Sequence, residues 1–231
     1  MSVRFDMEVR ILRSSPAEGT APYYQEFAVV GTDNMRVLDV IRSIYENQAG
    51  DLAYQFACRI GRCGTCAVRV NGVPVLACQE RCKSSMSIEP LTPFPVLRDL
   101  VVDRTEIEAR YTAMQLVPTS ATRSEGVRAI EPHAAEELCK LDSCMACMVC
   151  VSGCPAVEER AFDGPAFMLK LRYMDQHPAD DRDRLSQALD GGMLECFGCD
   201  ACTQLCPADL SPAQAIRGFR KDLVLGKGRE R

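Results

Sequence analysis

The spacing of the cysteines constrains this chain more than any other feature of its sequence. Twelve of the fourteen cysteines fall into three runs, the first of the form C-x4-C-x2-C-x11-C and the other two of the form C-x2-C-x2-C-x3-C-P. The first spacing is the plant-type pattern for a 2Fe-2S cluster. The second is the bacterial pattern in which the fourth cysteine of each run ligates the other cluster. The sequence therefore predicts three iron-sulfur clusters and an electron relay. The runs consist of Cys58, Cys63, Cys66 and Cys78; Cys144, Cys147, Cys150 and Cys154; and Cys196, Cys199, Cys202 and Cys206.

Two other uses of closely spaced cysteines compete with this interpretation. Disulfides need an oxidising compartment and are typical of smaller chains. Zinc sites use C-x2-C pairs, but they rarely need a third cysteine at the next x2 step followed by x3-C-P, which occurs twice here. The clusters are therefore favoured. Cys82 and Cys139 lie outside the three runs, and we expect them to be inert thiols.

The composition of the chain argues against nucleic acid as a partner and against direct insertion into a membrane. The chain has 231 residues and a net charge of −5, so it offers no broad basic face and nucleic acid is not expected as a partner. No stretch of about 18 apolar residues occurs, so we expect no membrane span and any membrane attachment to come through a partner. Because the first periodic strand begins at Val3, we also expect no signal peptide and a cytoplasmic location.

Alternating patterns predict a small sheet around the first run. Apolar and charged residues alternate from Val3 to Ile11, which indicates a half-buried strand, and a second strand follows near residues 27–30. Apolar residues at helical spacing from Val37 to Tyr45 predict an amphipathic helix, with N-cap candidates at residues 32–34. Asn71-Gly72 predicts a type I′ hairpin that returns the fourth cysteine of the run to the first three.

The region of the other two runs predicts helices. Apolar residues between Phe167 and Met174 lie on one helical face. Ser211-Pro212 opens another helix, whose apolar positions from Ile216 to Leu223 face inward. The two runs share a spacing about fifty residues apart, which indicates an internal pseudo-repeat.

The predicted fold class is α+β. A β-grasp, ferredoxin-like 2Fe-2S domain is expected at residues 1–103 and a linker at 104–131. A mostly α-helical, ferredoxin-like domain with two cubane-type clusters is expected at 132–231.

These motifs resemble those of the iron-sulfur subunit of succinate dehydrogenase and fumarate reductase. The likeness covers nearly the whole chain, and its most specific part is the stretch Pro90–Asp103 between the first two runs. Gly164–Ala166 and Ser211–Ile216 are also similar to family sequence. The resemblance implies a relay between FAD on a large partner subunit, where the dicarboxylate chemistry occurs, and a quinone or other acceptor on a further subunit. It places no catalytic residue on this chain.

The resemblance also implies which cysteines hold which cluster. The first four, Cys58, Cys63, Cys66 and Cys78, hold the 2Fe-2S cluster. The middle 4Fe-4S cluster is held by Cys144, Cys147, Cys150 and Cys206. The last cluster is held by Cys154, Cys196 and Cys202.

The sequence departs from the common family pattern at two places. Common members have a 3Fe-4S cluster as the last centre because the middle position of the last run is not cysteine, whereas this chain has Cys199 there. A fourth thiolate predicts a second 4Fe-4S cluster, or 3Fe-4S if Cys199 does not ligate. The Trp-bearing segment that helps to form the quinone site is replaced by residues 156–160. Both departures are typical of members whose third subunit is cysteine-rich instead of a haem-bearing membrane anchor, so a thiol-disulfide couple can replace the quinone.

Two other functions remain open from the sequence. The chain can be a free ferredoxin-like carrier, although Pro90–Asp103 favours a stable flavoprotein partner. The same relay can also serve a related flavoprotein with another substrate, since the substrate site lies elsewhere.

Overall fold

The computed structural model describes residues 4–118, 130–159 and 161–226. These residues form two compact units. The first comprises the chain up to Arg104 together with Cys147–Gly153, and the second comprises Thr105–Ala146 and Cys154 onward. The predicted domain boundaries stay a prediction, since much of the proposed linker falls at residues 119–129, outside the described residues.

The first unit is built on a five-stranded mixed sheet. Its strands are β1 (Arg4–Ser15), β2 (Thr20–Thr32), β3 (Ala67–Val70), β4 (Val73–Leu76) and β5 (Ser85–Glu89). They lie in the order β2-β1-β5-β3-β4, with β1 and β5 parallel and the other neighbours antiparallel. A two-stranded ribbon of β6 (Val96–Arg98) and β7 (Val101–Val102) follows. The two strands expected from the sequence near residues 3–11 and 27–30 are both present, and they pair antiparallel as β1 and β2.

Strand β1 is half-buried, as the alternation of apolar and charged residues predicts. Met7, Val9 and Ile11 are buried, whereas the charged residues between them are exposed. Both β1 and β2 run further than the pattern predicts, into the segment 14–22, and a short 3-10 turn (Pro16–Glu18) joins them. The extra length arises because cross-strand pairing continues up to Ser15 and Thr20.

Helix α1 (Val37–Asn47) packs its apolar face in the core of this unit. Val37, Val40 and Ile44 are each 0% exposed, and full burial of such a side chain contributes about 1.5–3 kcal/mol. The predicted N-cap at residues 32–34 is wrong. Arg36 occupies that position, and its backbone N–H donates to the Asp39 carboxylate at 2.9 Å.

The stretch Pro90–Asp103 is anchored by one buried carboxylate. Asp99 accepts hydrogen bonds from Arg13 Nε at 2.9 Å, from Ser14 N at 3.1 Å and from Ala53 N at 2.9 Å. Arg13 and Asp99 are 5% and 3% exposed, and Arg13 also pairs with Asp51 at 2.7 Å. Loss of Arg13 would therefore leave the buried Asp99 carboxylate without its nearest cation. This network ties the family-specific stretch to β1.

The second unit is helical, as predicted. Its helices are α2 (Thr105–Ala113), α3 (Pro132–Asp142), α5 (Pro155–Glu159), α6 (Pro165–Gln176), α7 (Arg184–Asp190), α8 (Ala201–Gln204) and α9 (Pro212–Val224), and a 3-10 turn spans Met193–Glu195. The intervening α4 (Val149–Ser152) belongs to the first unit.

The core of the second unit lies between α6 and α9. Phe167, Met168 and Leu171 on α6 and Phe219 on α9 are at most 1% exposed, and the predicted inward face of α6 is confirmed. Leu223 is 37% exposed, so its predicted inward position is wrong. It lies near the end of α9, where the helix runs past the core that it packs against.

Helix α2 is fixed to this core by polar and aromatic contacts. The Tyr111 ring stacks on Phe167 with centroids 4.5 Å apart. Beyond the helix end, the carbonyl of Met114 accepts from the fully buried Arg184, which also pairs with Asp180 at 2.6 Å. The segment 105–114 is therefore packed structure.

Candidate iron-sulfur centres

The first cysteine run surrounds the β3–β4 hairpin. Pairing of Ala67 with Leu76 sets the register, and Ala77 N donates to the Cys66 carbonyl at 3.0 Å. Asn71 and Gly72 at the tip have φ values of 50° and 80°, which confirms the predicted turn. The hairpin therefore places Cys78 beside Cys66.

The loop before the hairpin turns its backbone N–H groups toward sulfur. Ile60 N and Arg62 N donate to Cys58 Sγ at 3.5 and 3.2 Å. Three positive φ values, at Arg59 (60°), Gly61 (72°) and Gly64 (72°), produce this tight curvature. N–H donors aimed at sulfur stabilise a thiolate and tune any cluster bound to it.

The thiols of this run differ in pKa. Hydrogen bonds from the Cys58 backbone and the Thr65 hydroxyl lower the pKa of Cys63 to about 6. Burial raises the pKa of Cys66 to about 12. Because cluster ligands are thiolates, assembly must release the proton from the buried member. Four adjacent thiols with N–H donors fit a 2Fe-2S ligand set.

The second run is divided between the two units. In the second unit, Cys144 and Cys206 pack against the buried cluster of Leu169, Leu210 and Ala215, and burial raises the pKa of Cys144. In the first unit, Cys147 and Cys150 are both buried, at 8% exposure. The predicted four-cysteine set for the middle centre stays a prediction.

The third set lies within the second unit. Cys154, Cys196, Cys199 and Cys202 line one small cavity between α5, α8 and α9. Gly198 N donates to Cys196 Sγ at 3.4 Å. Burial, with the other thiols of the set nearby, raises the pKa of Cys202 to about 11. Four thiols on one cavity are the donor set that a 4Fe-4S cluster needs.

Arg220 on α9 contacts this cavity, and the sequence analysis did not single it out. Its Nη2 donates to the carbonyls of Met193 (3.1 Å), Leu194 (3.2 Å) and Cys196 (2.7 Å). It therefore clamps the turn that leads into the third run. The sequence indicates this role only weakly, because Arg220 is simply a basic residue next to Phe219 on a predicted helix.

The two cysteines outside the runs, and Arg59 inside the first cysteine loop, make no contact with other described residues that indicates a role in cluster binding. Cys82 Sγ donates to the Thr32 carbonyl at 3.5 Å, and Cys139 is exposed on α3. Arg59 is exposed and stacks on Phe56 at 4.8 Å. All fourteen cysteines are described, and none forms a disulfide. Among the described residues, no group of three or more His, Cys, Asp or Glu side chains is arranged to hold a single metal ion. No helix in the described ranges is long and apolar enough to cross a bilayer.

Two family models match the chain. A 2Fe-2S iron-sulfur cluster binding domain matches residues 8–109, and a 4Fe-4S dicluster domain matches residues 140–210. The chain therefore carries both types of cluster-binding domain, as predicted.

Several proteins resemble the chain over most of its length. A fumarate reductase (CoM/CoB) polypeptide from Methanothermobacter marburgensis is 34% identical, and the alignment covers 93% of this chain. The chain spans only 44% of that relative's length. A fumarate reductase iron-sulfur subunit from Mycobacterium tuberculosis is 33% identical over 95% of this chain and 93% of its own length. A chain of the Mycobacterium smegmatis Sdh1 complex in the apo form matches with a TM-score of 0.86, covering 99% of both chains at 24% identity, which confirms the fold.

Proposed function

The chain belongs to the family of iron-sulfur subunits of succinate dehydrogenase and fumarate reductase, and we propose that it carries electrons one at a time between a flavoprotein and a separate acceptor. When bound, the clusters supply one-electron redox chemistry. The chain's own residues hold them, exclude water and set their spacing. The observation that carries the proposal is the presence of thiol sets in N–H-lined or buried loops within one chain.

The proposed ligands follow the assignment made from the sequence. Cys58, Cys63, Cys66 and Cys78 hold the 2Fe-2S cluster, and Cys144, Cys147, Cys150 and Cys206 hold the middle 4Fe-4S cluster. Cys154, Cys196, Cys199 and Cys202 hold a second 4Fe-4S cluster. The position of Cys199 on the same cavity as the other three supports four ligands over three.

The proposed partners are an FAD-bearing large subunit that acts on succinate or fumarate and a third subunit that accepts or supplies electrons. The third subunit is a membrane anchor or a cysteine-rich protein, and the assembly lies on the cytoplasmic face of the membrane. The name of the Methanothermobacter relative attaches CoM/CoB to a fumarate reductase, which supports a thiol-disulfide acceptor as the alternative to quinone.

The test is anaerobic purification of the native complex, with its subunits identified by mass spectrometry. Succinate oxidation and fumarate reduction are then assayed with artificial dyes. Activity with a flavin-bearing subunit supports the proposal. A stable flavoprotein complex inactive on both substrates would assign the relay to another substrate, and a chain purified alone would indicate a free carrier.

A further inference from the structure

Gly64 in the first cysteine loop lies directly against Cys147 of the second run. Both residues belong to the first compact unit. A Cβ atom added at Gly64 would lie 2.7 Å from Cys147 Cβ and 2.8 Å from Cys147 Cα. Both atoms are too near the backbone to move independently. Relief to ordinary contact at 3.4 Å requires the two loops to separate by about 0.7 Å.

The segment that carries Cys147 is itself held in the first unit. The Ser152 hydroxyl, at the end of α4, accepts a hydrogen bond from Thr92 N at 3.2 Å. Ser152 is 7% exposed and Cys147 is 8% exposed. The close approach is therefore part of a packed, hydrogen-bonded interior.

The constraint at Gly64 differs from that at the neighbouring glycine. Gly61 has the same φ of 72°, but a Cβ there would meet only the flexible side chain of Gln79, at 3.0 Å. Backbone conformation alone therefore favours glycine at both positions. Of these two glycines, only Gly64 also faces an opposing backbone that excludes a side chain.

We propose that Gly64 is a positioning residue that sets the distance between the first and middle clusters. The inference rests on the proposed function, in which Cys63 and Cys66 flank Gly64 as ligands of the first centre and Cys147 is a ligand of the middle one. With the proposed clusters bound, the step concerned would be the transfer of one electron from the first centre, which would be oxidised, to the middle centre, which would be reduced. No bond forms or breaks. Because electron tunnelling weakens steeply with distance, a side chain at Gly64 slows this step without removing a ligand.

The experiment compares Gly64→Ala with Gly61→Ala in the purified complex. Iron and acid-labile sulfide are measured first, and the dithionite-reduced protein is then studied by EPR. A reduced middle cluster speeds the spin relaxation of the reduced 2Fe-2S centre, and this enhancement falls steeply as the distance between the two centres grows. We expect Gly64→Ala to keep its iron but lose much of this enhancement, and Gly61→Ala, with equal backbone strain, to retain it. Pulse reduction should show slower transfer to the middle centre in Gly64→Ala alone, by about the twofold factor that a separation of about 0.7 Å implies.

A second variant covers the case in which Gly64→Ala does not assemble its clusters. Ser152→Ala removes the hydrogen bond from Thr92 N and loosens the same segment without backbone strain, so a smaller loss of relaxation enhancement is expected. Unchanged enhancement in Ser152→Ala, together with an unchanged or unassembled Gly64→Ala, would overturn the inference. Absence of the 2Fe-2S or 4Fe-4S signals from the unmodified protein would instead overturn the proposed function.

Discussion

At the scale of single residues, the cavity of the third set offers a fourth thiol ligand only through Cys199. Cys199 is the exposed member of a set whose other thiols are half-buried or buried. An exposed position leaves room for its side chain to change without disturbing the core. A single substitution at Cys199 can therefore test the proposed type of cluster.

If the third centre is the proposed second 4Fe-4S cluster, Cys199→Val should convert it to 3Fe-4S. The oxidised protein would then show a new EPR signal, because an oxidised 3Fe-4S cluster is paramagnetic whereas the corresponding 4Fe-4S form is diamagnetic. It would also lose about one iron atom per chain. Cys139→Val, at an exposed thiol outside the three runs, is the matched control and should change neither quantity. A Cys199→Val spectrum identical to the unmodified one would show that Cys199 is not a ligand.

Arg220 should tune the same centre through its charge and its three carbonyl contacts. Loss of a positive charge beside a cluster disfavours the reduced form, so Arg220→Gln should lower the reduction potential in an EPR-monitored titration. A tenfold change in the oxidised-to-reduced ratio corresponds to about 59 mV for one electron. Arg220→Lys keeps the positive charge but loses the planar guanidinium. Its reduction potential should therefore be closer to that of the unmodified protein than the potential of Arg220→Gln is, whereas the turn at residues 193–196 should still be less stable.

The control for Arg220 is Arg217, which also lines the cavity. Arg217 is exposed and pairs with Asp200 at 2.5 Å, so solvent and the carboxylate already screen its charge. Arg217→Gln should shift the potential less than Arg220→Gln. Equal shifts would contradict a specific role for Arg220.

At the scale of elements, the β3–β4 hairpin brings Cys78, the proposed fourth ligand of the first centre, back beside Cys66. Its Asn71-Gly72 tip is recognisable in the sequence because both residues need positive φ. Asn71 also accepts from Ser87 N at 2.7 Å, which joins the tip to β5. This second contact could not be read from the local pattern, because it depends on which strand lies beside the hairpin.

Gly72→Ala should destabilise the hairpin and weaken retention of the first cluster. The position has φ of 80° and open space around the added Cβ, so the cost is backbone strain of about 1–2 kcal/mol. Gly19→Ala is the matched control, with φ of 73° and equally open space in the turn between β1 and β2. Thermal unfolding should show similar losses for both variants. Only Gly72→Ala should lower the iron bound per 2Fe-2S site.

The helices and strands also show how much of the fold the hydrophobic periodicity of the sequence predicts. Strand β1, helix α1 and the buried face of α6 followed from periodicity, because one side of each meets a core. Periodicity missed the N-cap at Arg36, the full length of β2 and the exposure of Leu223. Each of these depends on where a neighbouring element begins or ends, which no local pattern contains.

At the scale of the whole molecule, bound clusters should contribute to the stability of the fold. Ligands that bind the folded chain better than the unfolded one raise its free energy of unfolding. Removal of iron with a chelator under reducing conditions should therefore bleach the visible absorption and lower the Tm in calorimetry. Reconstitution with iron and sulfide should restore both.

Metal analysis of the same samples tests the competing zinc interpretation. Iron and acid-labile sulfide should be found together, with zinc absent. An unchanged Tm after iron loss would show that the two units fold independently of their clusters.

The sequence by itself determined the fold class and the candidate cluster ligands, because ligand chemistry depends on thiol identity and on spacing within short loops. It also determined the hairpin, because positive φ at its tip strongly favours Asn-Gly. Only the tertiary structure decided that Arg220 clamps the carbonyls at 193–196, that Asp99 anchors to Arg13 and that Gly64 abuts Cys147. Those contacts join residues far apart in the chain. Each depends on tertiary packing, which brings two backbones or two buried polar groups close together.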